Sequence, residues 1–313
     1  MVYLILFIAL LALTLKGYCG KKVSGYVRNM GASFIMNTIR FIICIFIGLA
    51  LVLFEEASLK VDGIMLSICA LAGITSSISI GSWVFAVKSH NMATIDVTST
   101  LASIIPAILC AVFFGEAFSG MKMIGFGFIV AASVLMLGFN KSRERKQGGI
   151  LGNVCLILTA LGEAFSSFAQ QLYKQYCADG GLYTANRPTY SKTVYNFYIY
   201  VFSAITLAVF FLIYLIVSRN KKELTARSLA INTAKALPFI SIMAVCLFAA
   251  IFLQTVAAND FNMPSQVLYP IIKGGGLIGM LVIGAVFFGE KFNKKSVIGT
   301  SLALVGIVLI NIL

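Results

Sequence analysis

The sequence AVFFGEAFSGMKMIG at residues 111–125 returns as AVFFGEKFNKKSVIG at residues 285–299, displaced throughout by 174 positions. A shorter match lies upstream, where Asn-Met at residues 91–92 returns at residues 262–263 with a displacement of 171. Apolar runs match one another by chance, but the shared placement of Gly-Glu-x-Phe and Ile-Gly does not. The sequence therefore indicates an internal duplication.

The composition is that of a membrane protein. Of the 313 residues, 60% are apolar and 11% are charged, whereas a soluble domain carries roughly 25% charged residues. The net charge of +13 does not predict nucleic-acid binding, because the basic residues form short clusters between long apolar runs. Such clusters usually report membrane topology. The expected surroundings of the protein are therefore a lipid bilayer.

Ten segments are long and apolar enough, or nearly so, to span a bilayer, which takes about 20 apolar residues. They are residues 2–20, 31–54, 63–87, 93–114, 121–139, 150–173, 194–218, 236–258, 264–288 and 295–313. The first lacks the basic start of a signal peptide and is predicted to be a span. Lys16 interrupts it, and we expect this lysine to snorkel to the membrane interface.

The expected fold is an all-α membrane protein whose ten transmembrane helices form two inverted five-helix repeats, 1–139 and 150–313. An odd number of spans in each half inverts the second copy relative to the first, as in many secondary transporters. Alternate connections hold 17 and five of the lysine and arginine residues. The positive-inside rule then predicts a multi-pass protein of the cell membrane, with both termini outside and a cytoplasmic linker at 140–149.

The duplicated Phe-Phe-Gly-Glu segments, containing Glu116 and Glu290, and the stretch IMNTIRFII around Arg40 resemble the drug/metabolite transporter superfamily, in its ten-helix EamA-like branch. The resemblance covers nearly the whole chain. The stretch from Tyr269 to Asn311 is also similar to the last part of small multidrug resistance proteins. The resemblance implies a transporter of ten helices and specifies no substrate.

Glu163 is the first candidate binding residue. A charged side chain within the membrane costs several kcal/mol on insertion scales and is a functional hypothesis by default. Helical spacing places Glu163 near one face together with four further polar residues, which are Ser166, Ser167, Gln170 and Gln171. This polar stripe is predicted to line a cavity, where Glu163 binds a proton or a cationic substrate group. The alternative is a structural ion pair with Arg40 or Lys273. Its place in the first helix of a repeat is similar to that of the essential glutamate of small multidrug resistance proteins.

Lys273 and Arg40 are the two cations predicted near the middle of spans. Lys273 follows Tyr269-Pro270 and precedes three glycines, so we expect a broken helix whose free backbone groups and lysine bind an anion. Close packing by the glycines is the alternative. Arg40 either contacts substrate, pairs with Glu163, or binds neighbouring carbonyl groups. Tyr269 is a candidate for the cavity wall, as are Ser167 and Gln170 of the stripe.

The remaining polar residues of the spans favour structural roles. Asp96 is expected near the cytoplasmic interface, and Glu116 and Glu290 are expected to stabilise turns or gates at opposite faces. The hydroxyl groups of residues 75–79 are predicted to pack between helices, with cavity lining as the second interpretation. Trp83 fits either a substrate wall or an interfacial anchor. The single histidine and seven scattered cysteines predict neither a metal site nor a disulfide framework, and no cofactor is expected.

These features predict a secondary active transporter rather than an enzyme, because no Walker or GxSxG motif occurs. Acidic and basic groups within the spans favour a small polar or zwitterionic substrate, such as an amino acid, with protons as a candidate coupling ion. Three alternatives stay open. They are a flippase or exporter of a lipid-linked or organic anion, a multidrug exporter, and a membrane-embedded enzyme. The sequence is compatible with a monomer or a homodimer.

Overall fold

The computed structural model describes residues 1–27, 29–90, 92–116, 120–138, 149–217, 226–289 and 294–312. These residues form eleven helices and no strand. The helices are α1 (Val2–Ser24), α2 (Met30–Phe54), α3 (Gly63–Ser89), α4 (Met92–Ala102), α5 (Ile104–Phe114), α6 (Gly120–Gly138), α7 (Gly149–Tyr176), α8 (Lys192–Val217), α9 (Ala226–Asn259), α10 (Ser265–Phe288) and α11 (Lys294–Ile312). Most of the predicted linker, 140–148, and Glu290 lie outside the described residues.

The helices have the length and hydropathy of a multi-pass membrane protein. Within the described ranges, eight are long and apolar enough to cross a bilayer, counting Val97–Phe114 as one. Two shorter apolar helices, Met123–Ala132 and Val297–Ile310, fall within the fifth and tenth predicted spans. The prediction of an all-α membrane protein is confirmed, while the inverted relation of its two halves stays a prediction.

The fourth predicted span, 93–114, is interrupted. Residues 92–102 and 104–114 form separate helices, α4 and α5, on either side of Ser103. The Ser103 hydroxyl donates to the carbonyl oxygen of Thr100 at 2.6 Å, and Pro106 follows three residues later. Proline has no backbone N–H to offer the preceding turn and clashes with it, which explains why one continuous helix does not form here.

Both copies of the duplicated AVFFG segment end in the same turn. Gly115 terminates α5 with φ 65° and Gly289 terminates α10 with φ 60°. This left-handed conformation is strained for residues with a side chain and is open to glycine, the usual residue just after a helix. The glycine of the repeated motif is thus explained by local backbone geometry in both halves.

The helices pack in pairs that mostly join one half of the chain to the other. Close pairs are formed by α3 with α7, α1 with α9, α2 with α8, and α6 with α11. Small residues allow this approach: a Cβ atom added to Gly162 of α7 would lie 2.6 Å from the carbonyl oxygen of Thr75 in α3.

Three connections, 55–62, 177–191 and 260–264, meet at one end of the bundle, which we call the 177–191 end. Arg187 lies 3.8 Å from Asp62, and Lys192 lies 2.6 Å from Asp260. The first pair joins two connections and the second joins the start of α8 to a third connection, so this end is tied together by charge as well as by packing.

Both ends of the described chain lie at the 177–191 end too. Leu6, near the start of α1, is buried in one cluster with Met263. Ile310, near the end of α11, is buried with Phe126, which lies near the start of α6. An even number of crossings produces this arrangement. Which side of the membrane this end faces stays a prediction.

Candidate functional site

An ion pair joins α7 to α10 in the middle of the bundle. The Nζ atom of Lys273 donates to Oε2 of Glu163 at 2.7 Å, and the two side chains are 22% and 23% exposed. Two of the three charged residues that sequence analysis placed near the middle of spans, Glu163 and Lys273, therefore meet. One interpretation of Glu163, an ion pair with Lys273, matches this geometry, and the pairing with Arg40 does not occur.

A second cross-link lies one helical turn away. The Tyr269 hydroxyl lies 2.7 Å from the carbonyl oxygen of Ser167 and 3.1 Å from Oε1 of Gln170, and Gln171 donates to it at 3.2 Å. Because α7 and α10 run in opposite directions, Tyr269 precedes Lys273 by one turn while Ser167 follows Glu163 by one turn.

Side chains, rather than backbone packing, connect these two helices. In the described residues α7 does not pack closely against α10, although it packs closely against α3. Gln170 also donates to Thr255 of α9 at 2.7 Å. The network around Tyr269 thus fixes the separation of α7, α9 and α10 and keeps a space open between them.

That space is a cavity of about 100 Å³ between α1, α3, α7, α8, α9 and α10. Its charged side chains are Lys16, Glu163 and Lys273. Its neutral polar side chains come mainly from α3 and α7 and include Ser76, Ser79, Ser166, Ser167, Gln170 and Gln254. Six apolar residues, among them Ile199 and Leu247, complete much of the wall. Such a mixture of an apolar wall with a few convergent polar groups is usual for small-molecule sites.

A second space of about 60 Å³ adjoins the first. The two share Lys16, Glu163 and Lys273 in their walls, and the second adds Trp83 and Ser99. The charged residues therefore stand between two lobes, a larger one toward the 177–191 end and a smaller one toward the opposite end. A ligand in either lobe would contact the same charged groups.

Lys16 was expected at the lipid interface, and the structure places it in the walls of both lobes instead. The reason is the length of α1, which continues to Ser24 rather than ending near residue 20. The lysine consequently lies well inside the helix, too far from its end to reach the interface. The position of Lys21 and Lys22, which are better placed to mark the interface, was the signal that could have revealed this.

Arg40 lies apart from both lobes. Its side chain is 2% exposed, its guanidinium carbon lies 5.5 Å from the centre of the Phe41 ring, and its Nε and Nη2 atoms have no hydrogen-bond partner. It does not pair with Glu163, and its Nε and Nη2 atoms bind none of the carbonyl groups that were one alternative. The structure thus brings together five of the six predicted site residues and leaves Arg40 outside.

The hydroxyl-rich segment of α3 divides between the two predicted roles. Ser76 and Ser79 line the larger lobe, whereas the Ser77 hydroxyl donates to the carbonyl oxygen of Ser203 in α8 at 2.9 Å. Packing and cavity lining therefore occur on different faces of one helix. Trp83 belongs to the wall of the smaller lobe, and its contact with substrate stays a prediction.

Two further expectations concern the ends of the spans. Glu116 accepts a hydrogen bond from Ser265, the first residue of α10, so the carboxylate of the duplicated motif joins the first half to the second. The broken helix expected around Lys273 is absent: α10 is continuous from Ser265 to Phe288, with Pro270 inside it. The backbone groups that were to bind an anion are engaged in the helix. The side chain of Asp96 lies outside the described part of the chain.

No protein-family model and no curated protein matches this sequence. A solved structure known only as "Crystal structure of protein" is similar over 98% of this chain and 94% of that chain, with a TM-score of 0.61 and 14% sequence identity. At this identity the likeness shows a shared fold and nothing about activity.

Proposed function

We propose that this protein is a secondary active transporter that carries a small polar or zwitterionic metabolite across the membrane by alternating access. The observation that carries the proposal is the pair formed by Glu163 and Lys273 within a cavity surrounded by apolar helices. Placing an ionisable group in such surroundings costs free energy, and such groups usually mark a substrate or ion pathway.

A zwitterion suits the charges of the cavity better than a simple ion. Its ammonium group is complementary to Glu163, and its carboxylate is complementary to Lys273 and Lys16. By separating the pair and binding between its members, such a ligand gives each charge a new partner, so no charge is left without one. The serine and glutamine side chains supply further hydrogen bonds.

The pattern of helix contacts supports two inverted repeats, 1–139 and 150–313. If the first five spans correspond in order to the last five, the contact of α1 with α9 has its counterpart in the contact of α7 with α3. The pairs α2 with α8 and α6 with α11 are then their own counterparts. This reciprocity is what a two-fold relation between the halves requires, and the central cavity lies where repeat-built transporters hold substrate. It also agrees with the resemblance to EamA-like transporters.

Coupling to protons is part of the proposal. Glu163 is the titratable carboxylate in the wall of both lobes, so its protonation would release Lys273 and change what the cavity binds. A gradient is the proposed source of energy, since the sequence contains no Walker motif for ATP hydrolysis.

An organic anion is the second candidate substrate. It is favoured by the presence of two lysines, Lys16 and Lys273, against one glutamate among the described residues of the cavity. The two candidates differ in what they require of Glu163, which contacts the zwitterion and would repel the anion.

A thermal-shift screen of purified protein against amino acids, organic acids and organic cations, followed by uptake into proteoliposomes, tests the proposal. We expect an amino-acid-like compound to stabilise the protein and to accumulate faster under a pH gradient. Glu163→Gln should abolish the pH dependence, and Lys273→Met should weaken apparent affinity for carboxylate-bearing substrates.

Asp62→Asn is the matched control. It removes a carboxylate that faces a cation, Arg187, outside both lobes, and asparagine can still cap α3 as Asp62 does through its contact with the N–H of Met65. Uptake should be unchanged in this variant. Wild-type, pH-coupled uptake by the folded double variant Glu163→Gln/Lys273→Met would show that the pair is structural and would refute the proposal.

A further inference from the structure

A third and larger space opens at the 177–191 end. This vestibule of about 480 Å³ is lined by residues of α7, α8, α9 and the connections between helices. Its wall includes Tyr173, Tyr190, Lys192 and Asp260. The vestibule and the larger lobe of the central cavity share no lining residue. Protein side chains therefore separate the two spaces.

Two stacked tyrosines stand between the two spaces. Tyr173 of α7 belongs to the wall of the vestibule, and Tyr195 of α8 belongs to the wall of the larger lobe. Their ring centres are 4.0 Å apart and their planes differ by 9°. Both side chains are almost wholly buried, at 1% and 0% exposure. The partition is therefore two rings thick, with the vestibule beyond one ring and the substrate cavity beyond the other.

We propose that the Tyr173–Tyr195 stack is the gate between the vestibule and the central cavity, and that substrate passes at this end by separation of the two rings. The inference rests on the proposed function, since a gate implies passage. It adds the route at this end of the molecule and the two residues that control it, neither of which follows from the ion pair.

The contacts of each ring explain how the gate is held closed. The Tyr173 hydroxyl donates to the carbonyl oxygen of Tyr190 at 2.8 Å, which ties the ring to the 177–191 connection. The backbone carbonyl of Tyr195 faces the thiol of Cys69 in α3 at 3.9 Å. The rings thus belong to different helices and have different anchoring contacts, Tyr173 to the 177–191 connection and Tyr195 to α3. Relative movement of α7 and α8 would part them.

The gate is linked to the binding site through α7. Glu163, Ser167 and Gln170 of the larger lobe lie on the same helix as Tyr173. A ligand that displaces Lys273 from Glu163 changes the contacts that fix α7 to α10, and so acts on the helix that carries one half of the gate. Occupancy of the cavity and the state of the gate are coupled by this geometry.

Thiol labelling of a reporter in the larger lobe tests the gate without requiring transport. The reporter is Ser76→Cys, labelled in sided membrane vesicles with a charged, membrane-impermeant methanethiosulfonate. Arg187→Cys, at the 177–191 end, identifies the face from which the vestibule is reached. The seven native cysteines are all buried. Burial raises the pKa of the Cys177 thiol to about 11; nearby Asp62 adds to this effect and Arg187 opposes it. Because the thiol is protonated at neutral pH, this cysteine beside the vestibule contributes little background labelling.

We expect Tyr195→Leu, which removes the stacked ring and keeps an apolar side chain, to raise the labelling rate about tenfold or more from that face, as a shift toward the open state requires. Tyr195→Phe keeps the stack and should label at the wild-type rate. Tyr183→Leu is the matched control, because Tyr183 stacks on Tyr176 at 4.6 Å at the same end but lines neither space. Labelling rates in the vesicles are compared only among variants that, once purified, remain monodisperse in size-exclusion chromatography.

An unchanged rate in folded Tyr195→Leu and Tyr173→Leu, or an equal increase in Tyr183→Leu, would overturn the gate. Uptake by the wild-type protein is measured separately. If labelling depends on the tyrosine stack but no tested metabolite is taken up, the gate is supported and the proposed function is refuted. If a metabolite is taken up but labelling does not depend on the stack, the proposed function is supported and the gate is refuted.

Discussion

Glu163 and Lys273 depend on each other for their charge balance. Each side chain keeps about a fifth of its surface exposed, so water in the cavity screens part of their attraction. Removing one partner of a fully buried pair costs about 3–5 kcal/mol, because a charge is left uncompensated, whereas replacing both partners by neutral groups is often tolerated. Partial exposure makes the corresponding cost here smaller.

Single and double substitutions should therefore differ in a defined way. We expect Glu163→Gln and Lys273→Met each to reduce the free energy of unfolding, and the double variant to lose less than the sum of the two. The coupling should lie between about 0.5 and 3 kcal/mol, the range for residues in contact. Denaturant titration in detergent micelles measures it. Strictly additive losses would show that the 2.7 Å contact contributes nothing to stability.

Lys16 and Arg40 provide a matched pair of cations within spans. Lys16 lines both lobes, whereas Arg40 is buried beside Phe41 with two unsatisfied nitrogens. We expect Lys16→Met to weaken ligand binding about tenfold, the loss of roughly 1.4 kcal/mol of interaction. Arg40→Met should leave affinity unchanged and should not destabilise the protein, because it removes a buried charge two of whose nitrogens have no hydrogen-bond partner.

Isothermal titration calorimetry with the ligand identified by thermal shift distinguishes these outcomes, with melting temperature as the control for folding. A loss of affinity in Arg40→Met equal to that in Lys16→Met would return Arg40 to the binding site. The sequence showed both cations within apolar spans, but it predicted Arg40 near the middle of a span and Lys16 at the membrane interface. It could not tell which one faces the cavity, because that depends on the rotation of each helix and on its neighbours.

The glycines of the helices differ in what surrounds them, and their substitution should reveal it. A methyl group on Gly162 would meet backbone atoms of α3, at 2.6 Å from the oxygen of Thr75. A methyl group on Gly276 would meet nothing within 4 Å. We expect Gly162→Ala to destabilise the protein, because two backbones must move apart. Gly276→Ala should be neutral or stabilising by up to about 1 kcal/mol, the difference in helix propensity. Melting temperatures of the two variants test this, and equal effects would contradict the packing of α3 on α7.

At the scale of the elements, hydropathy located nearly all the helices but not their interruptions. Pro106 and Pro270 both lie inside predicted spans, yet the chain breaks near the first and continues through the second. Proline removes one hydrogen bond in either case. In α10 the glycines that follow are helical, and Gly275 is packed so closely that an added Cβ would lie 2.6 Å from the side chain of Leu10. Tertiary packing determines whether the helix breaks or continues at each proline, and these contacts between helices could not be predicted from the sequence.

At the scale of the whole molecule, the duplication could be recognised in the sequence because its glycines form the same turn in both halves, at Gly115 and Gly289. The tyrosine gate could not be predicted from the sequence. Tyr173 and Tyr195 lie in different helices, and nothing in their spacing distinguishes their stack from that of Tyr176 and Tyr183. Only the position of the first stack between two cavities gives it a function. Composition and periodicity report elements, whereas a gate is a property of their arrangement.

The distribution of charge predicts the orientation of the whole molecule. The connections of the 177–191 end carry Glu55, Glu56, Asp62, Asp179 and Asp260. Since Lys16 lies in the cavity rather than in a connection, the connections predicted from the sequence hold 16 lysine and arginine residues on the opposite side and five on the side of the 177–191 end. An excess of positive charge marks cytoplasmic connections, so the 177–191 end should face outward together with both termini.

Reporter fusions test this orientation at both ends of the molecule. Alkaline phosphatase fused after Leu313 should be active and green fluorescent protein fused there should be dark, because the first folds only outside the cytoplasm and the second only within it. The same reporters placed after Lys146, in the linker between the halves, should give the reverse result. Opposite signals from these two positions are required by an odd number of spans in each half. An active phosphatase at both positions would contradict the inverted relation of the repeats. A complete exchange of the two patterns would keep that relation and reverse the orientation, which would place the vestibule and its tyrosine gate on the cytoplasmic side.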